Sequence, residues 1–178
     1  MAAKPNIGNV GFRHNIVTAT KTRPANTTAY AANDVISESA TDGQGTCWTF
    51  SNISPDARNG KFEIIKATIL TDAASKTPQL TLHLFKATPT GELDDNSANT
   101  GPLAADWANY VGAIDFPALE SLGASISHAT VTRGTVGGLP LPVTLGETAH
   151  LYGVLITRDA LTPTSGEIFT IILETKVD

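Results

Sequence analysis

The chain has 178 residues and a formal net charge of -5, and only 16% of its residues are charged. Clustered Lys and Arg side chains dominate binding to nucleic-acid phosphates, so twelve scattered basic residues in an acidic chain argue against a nucleic-acid partner. No apolar run reaches the roughly 18 residues of a membrane span, which predicts a soluble chain with no membrane partner and no secretion signal. The single cysteine, Cys47, cannot form an intrachain disulfide, and we interpret it as a small buried side chain beside Trp48.

The beginning of the chain predicts an arm followed by short strands. Residues 1–14 form the predicted N-terminal arm of a single domain that covers residues 1–178, because the segment opens with Gly, Pro and Asn without hydrophobic periodicity. β-prone residues predict strands at 12–20, near 35–36 and at 46–50, with turn-forming residues between them.

The clearest pattern lies at 61–87, where two apolar runs are joined by a polar turn. Large apolar side chains occupy alternate positions of both runs: Phe62, Ile64, Leu80, Leu82 and Leu84. This alternation is typical of strands with one buried face, and the turn between them predicts a hairpin. A hairpin alone is marginally stable in water, so a second layer must cover it.

The longest irregular stretch is 88–109, with a possible single helical turn at 103–108. Loops of this length inside a compact domain are usually functional or disordered. Further strands are predicted at 110–116, 125–132, 149–158 and 167–174, and a turn-rich connection leads into 143–145. Eight or nine strands separated by turns, without an amphipathic helix, predict an all-β fold. A β-sandwich of the jelly-roll type is favoured because several connections are too long for tight hairpins.

Metal chemistry has little support in the sequence. The four histidines, His14, His83, His128 and His150, stand in no metal-binding spacing, so a cupin-like metal site is disfavoured. Glu92, Asp94 and Asp95 could ligate calcium, but they do not match an EF-hand, and a solvated loop is the preferred interpretation. The sequence contains no catalytic or metal signature, and no metal or cofactor is expected.

The aromatic residues permit a binding surface. Trp48 is interpreted as a core residue because it lies in a predicted strand. Trp107 and Tyr110 lie in or beside the long loop, where they could stack on a sugar ring, contact another protein or pack locally.

Three stretches resemble a family of small structural proteins of tailed bacteriophages: TKTRPANTTAYAANDVIS at 20–37, DDNSANTGPLAADWANYVGAIDF at 94–116 and LYGVLITRDALTPTSGEIFTIILE at 151–174. They cover about a third of the chain, in the order that they have in the family. The resemblance implies a non-enzymatic virion protein, most plainly a capsid decoration or cement protein with a jelly-roll fold. It supplies no catalytic residues.

The resemblance further implies a major capsid protein as partner, at the outer surface of the virion, where an acidic chain is better suited than beside packaged DNA. Symmetric clustering on a capsid predicts contacts between copies, as a dimer or a trimer. The predicted contact residues lie at the start of the chain and in the long loop: Phe12, Arg13, Arg23, Asn26, Asp94, Asp95, Trp107 and Tyr110. A tail- or fibre-associated role, a carbohydrate-binding module and a cupin-type enzyme remain as alternatives.

Overall fold

The computed structural model describes residues 13–54, 60–145 and 148–177. Within them the chain forms eleven strands and one short 3-10 helix at Trp107–Asn109. In chain order the strands are β1 (Arg13–Thr22), β2 (Val35–Ile36), β3 (Trp48–Ser51), β4 (Lys61–Thr71), β5 (Leu80–Phe85), β6 (Tyr110–Phe116), β7 (Glu120–Ser121), β8 (Ser127–Thr132), β9 (Leu141–Thr144), β10 (His150–Thr157) and β11 (Ile168–Val177). No helix in the described ranges is long and apolar enough to cross a membrane.

The strands form two antiparallel sheets. One sheet has the order β1-β11-β4-β8-β7, with β9 paired to β4 beyond the end of β8. The other has the order β2-β10-β5-β6, with β3 paired to β10 on the same edge as β2. Each layer is therefore four strands wide over most of its length, and the predicted β-sandwich is confirmed.

The pairing of eight of the strands identifies the sandwich as a jelly roll. The first strand pairs with the last, β1 with β11, and the next ones inward pair as β3 with β10 and β4 with β8. The innermost pair is β5 with β6. Pairing of the first strand with the last, and of each following strand with the next one inward, is the jelly-roll topology. It places the paired strands in the two layers alternately. The count of eleven exceeds the predicted eight or nine because β7 and β9 are short strands at positions where no strand is predicted.

The core lies between the two sheets, as the alternating pattern predicts. Strand β4 alternates buried and half-buried side chains, and β11 does the same. The largest side chains of the core come from both layers and are almost completely buried: Trp48, Phe50, Ile64, Ile69, Leu82, Phe116 and Phe169. Burial of apolar surface on this scale is the main term that stabilises the fold.

The predicted hairpin at 61–87 is wrong, although its side chains are buried as expected. Strand β4 pairs with β11, β8 and β9, whereas β5 pairs with β10 and β6, so the two strands lie in opposite sheets. Phe62 and Leu82 belong to the same core cluster, although their strands lie in opposite sheets. Alternation shows which face of a strand is buried, but it does not identify the neighbour to which the backbone bonds.

A second, smaller apolar cluster lies outside the sandwich, on the outer face of the β10-β5 layer. It contains Val35, Phe85, Val154 and Ile156, with the half-buried Leu93 of the 88–109 segment packed against it. The long connection is therefore folded against the sheet and covers apolar side chains that would otherwise meet water. The predicted helical turn at 103–108 overlaps the observed 3-10 helix, Trp107–Asn109, at residues 107 and 108.

The substitution Leu82→Ala tests the core. Leu82 is completely buried at the centre of the sandwich, so we expect its truncation to lower the free energy of unfolding by about 2–5 kcal/mol. Urea unfolding followed by tryptophan fluorescence measures this change. The exposed Thr49→Ala on β3 is the matched control and should change stability by about 0.5 kcal/mol or less. Equal effects of the two substitutions would contradict the position assigned to Leu82.

Candidate contact site

A buried ion pair connects the long loop to the end of β1. Arg23 follows β1 directly, and its Nη2 atom donates to Oδ2 of Asp95 at 3.1 Å. Both side chains have no solvent-exposed surface. Two desolvated charges are stable only when hydrogen bonds satisfy their remaining polar atoms, so their neighbours decide whether this pair can exist.

Tyr30 and the backbone supply those hydrogen bonds. The Tyr30 hydroxyl donates to Oδ1 of Asp95 at 2.6 Å and accepts from Nε of Arg23, while the Ser37 N–H donates to the same Oδ1 at 2.9 Å. Burial, together with the hydrogen bond to Asp95, raises the pKa of Tyr30 well above its ordinary value. The hydroxyl therefore stays protonated and acts as a permanent donor to the carboxylate. We call Arg23, Tyr30 and Asp95 the buried triad.

Backbone hydrogen bonds hold the loop beside the triad. The Asn96 N–H donates to the Val35 carbonyl at 2.8 Å, and the Val35 N–H donates to the Ser97 carbonyl at 2.9 Å. Asp95 N–H donates to the Ser39 carbonyl at 2.6 Å. These bonds extend the edge of the sheet by a short, irregular ladder, so the tip of the loop has a defined position.

Asp94 is fixed by a second set of donors. Its carboxylate accepts from the backbone N–H groups of Gly43 at 2.7 Å and Gly45 at 2.6 Å, and these bonds lower its pKa. A Cβ atom at Gly45 would lie 2.1 Å from the Leu93 carbonyl oxygen, so only glycine permits this approach. Asp94 and Asp95 are 5% and 2% exposed, and the interpretation of this acidic group as a solvated loop is therefore wrong.

The calcium alternative has no support in this arrangement. Asp94 and Asp95 point to different donors, and Glu92 accepts hydrogen bonds from the N–H groups of Leu93 and Asp94 at 2.9 and 2.8 Å. The carboxylates do not converge on a common point. Within the described parts of the chain, no group of three His, Cys, Asp or Glu side chains could hold a metal ion.

Asp106 fixes the returning half of the loop. Burial opposes its ionisation, but the N–H and hydroxyl of Thr90, both at 2.9 Å, and the N–H of Leu103 at 3.1 Å outweigh this and lower its pKa. The carboxylate thereby joins the outgoing and returning strands of the loop at its base. Asp106 immediately precedes the 3-10 turn and so determines where Trp107 is placed.

Trp107 is the exposed end of an aromatic stack. Its ring lies 5.3 Å from that of Tyr110 with an interplanar angle of 17°, and 66% of the residue is exposed. Tyr110 in turn contacts Phe85 at 5.3 Å, and its hydroxyl lies 3.1 Å from Nδ1 of His83. A large aromatic side chain that is both exposed and supported from below is typical of protein and ligand contacts. We call Trp107 and Tyr110 the aromatic patch.

Burial lowers the pKa of His83, so the ring is neutral at the pH of most cells. His83 therefore serves as a hydrogen-bond partner of Tyr110. The other three histidines lie on β1, β8 and β10 and share no site with it.

The predicted contact residues divide into two groups. Trp107 and Tyr110 meet in the aromatic patch, and Arg13 is exposed at the start of β1. Arg23, Asn26, Asp94 and Asp95 lie at the inner side of the loop, where Arg23 and the two aspartates are buried within the chain. Their side chains position the loop. Phe12, with most of the predicted arm, lies outside the described residues.

Tyr30 is the functional side chain that sequence reasoning missed. Its hydroxyl joins both members of the ion pair, yet nothing in its spacing from Arg23 indicates this role. The available signal was indirect, since Arg23, Tyr30 and Asp95 all lie in stretches that resemble the phage family.

The three resembling stretches form one structural unit. The triad joins 20–37 to 94–116, and an isolated bridge pairs Asp34 with Ala98. The stretch 151–174 joins the same unit because the Tyr30 N–H donates to the Leu161 carbonyl at 2.9 Å, and the Asn33 N–H donates to the Thr157 carbonyl at 2.8 Å. Segments far apart in sequence thus meet at one end of the sandwich.

Comparison with known proteins gives only distant similarity. No family model and no curated protein matches the sequence. Among solved structures, a chain of the cyanophage Pam1 capsid asymmetric unit is 13% identical, with a TM-score of 0.34, over 100% of this chain and 94% of that chain. A chain of infectious bursal disease virus, Gx strain, is 11% identical, with a TM-score of 0.15, over 99% of this chain and 45% of that chain. Scores this low assign neither a fold nor a function.

The substitution Asp95→Asn tests the triad. It leaves the buried Arg23 guanidinium without a counter-charge, so we expect the free energy of unfolding to fall by about 3–5 kcal/mol. Urea unfolding measures the loss. The double variant Arg23→Met with Asp95→Asn should recover part of it, because no unpaired charge then remains. Asp42→Asn in the exposed turn is the control, and a loss as large as that of Asp95→Asn would show that the effect is not specific to the triad.

Glu38 provides a test by pH. Burial opposes its ionisation, but Lys21 and hydrogen bonds from Thr46 and Ser37 outweigh this and lower its pKa to about 2. A carboxyl group whose pKa is lower in the folded state stabilises the fold above its ordinary pKa of 4.5, and this stabilisation is lost as the pH falls towards 2. We expect Tm to decrease over that window and Glu38→Gln to reduce the decrease. An unchanged profile would contradict the role of Glu38.

Proposed function

We propose that this chain is a non-enzymatic structural protein of a tailed-bacteriophage virion, which binds the outer surface of the capsid and bridges neighbouring capsid subunits. The observation that carries the proposal is the joining of the three phage-like stretches into one unit that holds a loop in place and presents the aromatic patch. The proposed class of protein rests on the resemblance, and the proposed contact surface rests on the geometry of the aromatic patch.

The loop is suited to contact another protein because it is fixed before any partner arrives. Asp95, Asp94 and Asp106 hold its tip and its base, so binding through Trp107 would cost little conformational entropy. Trp is among the residues that contribute most to binding when they enter a pocket of the partner. The aromatic patch is therefore the proposed anchor on the capsid.

The charge of the chain supports an outer position. With a net charge of -5, the protein would be repelled by packaged DNA. On the outer surface of a shell it does not face the DNA. A protein that binds only the assembled shell stabilises it by mass action, since disassembly must first release it. Bridging requires contact with two capsid subunits, or contact with one subunit and another copy of this chain.

A carbohydrate-binding role, at a tail or fibre tip, is the second candidate. The observation that favours it is the stacking of Trp107 on Tyr110, which leaves the Trp107 ring open to a sugar ring. A sugar ring and another protein would both contact the same apolar face of Trp107. The two roles are therefore distinguished by which ligand binds, and loss of Trp107 would affect both.

The substitution Trp107→Ala tests the proposed anchor. We expect affinity for bare capsids of the encoding phage to fall about 10-fold or more, because a contact of this type typically contributes over 1 kcal/mol. Co-sedimentation with capsids measures the change, and a cryo-EM reconstruction of the intact particle shows where the protein lies.

The control is Thr49→Ala, which is exposed on a different strand and should bind as the unchanged protein does. Full capsid occupancy by folded Trp107→Ala would remove the aromatic patch from the interface. Absence of the protein from purified virions would overturn the virion proposal. Binding on a glycan array that is lost in Trp107→Ala would favour the carbohydrate role instead.

A further inference from the structure

The outer face of the β1-β11-β4-β8 sheet consists largely of threonine and aliphatic side chains. Across it, the backbone register aligns Thr18, Ile172, Thr68 and Thr130 in one row. The adjacent row aligns Thr20, Thr170, Leu70 and His128. Hydroxyl contacts within these rows join Thr20 to Thr170 at 3.1 Å and Thr68 to Thr130 at 3.0 Å. These two rows thus form a regular surface that contains no Asp, Glu, Lys or Arg side chain.

This face differs from the corresponding face of the other sheet. There, the 88–109 segment covers Val35, Phe85, Val154 and Ile156. Here, no described segment covers the threonine rows, and Ile16 of the same face is 64% exposed. A sheet face that keeps apolar side chains in solvent, when the opposite face of the molecule is covered, is a candidate for contact with another chain.

We propose that two copies of this chain associate through this face, back to back, around a two-fold axis that crosses its centre. Two sheets that pack face to face, about 10 Å apart, are the arrangement that the sandwich already uses internally. The inference concerns the isolated protein and does not rest on the proposed capsid role.

The chemistry of the face favours its own copy as the partner. A two-fold contact places the central groups opposite their own kind, so a face with like charges at its centre would repel itself. Threonine hydroxyls both donate and accept, and Ile172 and Leu70 carry no charge, so these groups are compatible with themselves. The charged side chains beside the rows are of both signs: Lys66 pairs with Glu174 at 2.6 Å, and Arg133 with Glu63 at 2.8 Å.

The size of the face is compatible with a stable dimer. Strands β1, β4 and β11 have ten or eleven residues and β8 has six. With strands about 4.8 Å apart and a rise of about 3.3 Å per residue, their footprint is about 590 Å². The accessible surface of such a face exceeds its flat footprint because the side chains give it relief. It therefore approaches the roughly 800 Å² that each partner buries in a standard interface.

Sedimentation equilibrium of the purified protein tests the proposal. We expect a dimer at micromolar concentrations. Thr170→Lys should raise the dimer dissociation constant about 100-fold or more, because it places two ammonium groups in a desolvated contact. Thr49→Lys, exposed on a strand of the other sheet, is the matched control and should leave the constant unchanged. Circular dichroism and thermal unfolding establish that each variant is folded.

A cross-link provides a second measurement that does not depend on a charge. In a Cys47→Ala background, Thr68→Cys lies near the proposed axis and should form an intermolecular disulfide under oxidation, while Thr49→Cys should not. A monomeric or trimeric wild-type protein would overturn the proposal. So would a dimer that persists in folded Thr170→Lys, or a cross-link formed through position 49 and not through position 68.

Discussion

The geometry of the candidate contact site depends on one buried ion pair, between Arg23 and Asp95. Removing both charges from water is costly, and such a pair contributes less to stability than an apolar contact of equal size would. Its value lies in selectivity, because the two charges can be satisfied only when the Tyr30 hydroxyl and the Ser37 N–H are also in place. These contacts favour the position of the 88–109 segment in which Asp95 reaches Arg23, although the segment contains only a single 3-10 turn.

The same constraint makes the two sides of the sandwich unlike. On one side, the fixed loop lies over an apolar cluster and carries Trp107 outwards on a supported stack. On the other side, the threonine rows remain uncovered by any described segment. In the roles proposed above, the aromatic patch binds the capsid and the threonine rows bind a second copy, and both surfaces can be occupied at once because they belong to opposite layers. This separation is what a bridging protein needs, since occupation of one surface does not obstruct the other.

Much of the fold follows from the sequence, because a period of two in hydrophobicity identifies a strand with one buried face. The strands at 110–116 and 150–157 lie within a residue of their expected limits, and the jelly-roll arrangement agrees with the strand number and connection lengths. The false hairpin at 61–87 shows the limit, since backbone pairing depends on strands far away in the sequence. The adjacent aspartates show a second limit. From the sequence alone, Asp94 and Asp95 are expected in a solvated loop. Their partners, Arg23 and the N–H of Gly45, are far away in the sequence and are identified only by the structure.

The nesting of the strands also governs the order in which the chain can assemble. Strand β11 lies between β1 and β4, so among the described residues the first strand has no sheet neighbour until the last one has been added. In a cell, β1 must wait while the ribosome makes about 150 further residues, with the exposed Ile16 among its side chains. Pairings between such distant segments close large loops and slow the final step of folding. Until then the nascent chain carries an unpaired strand edge, a feature that generally favours aggregation.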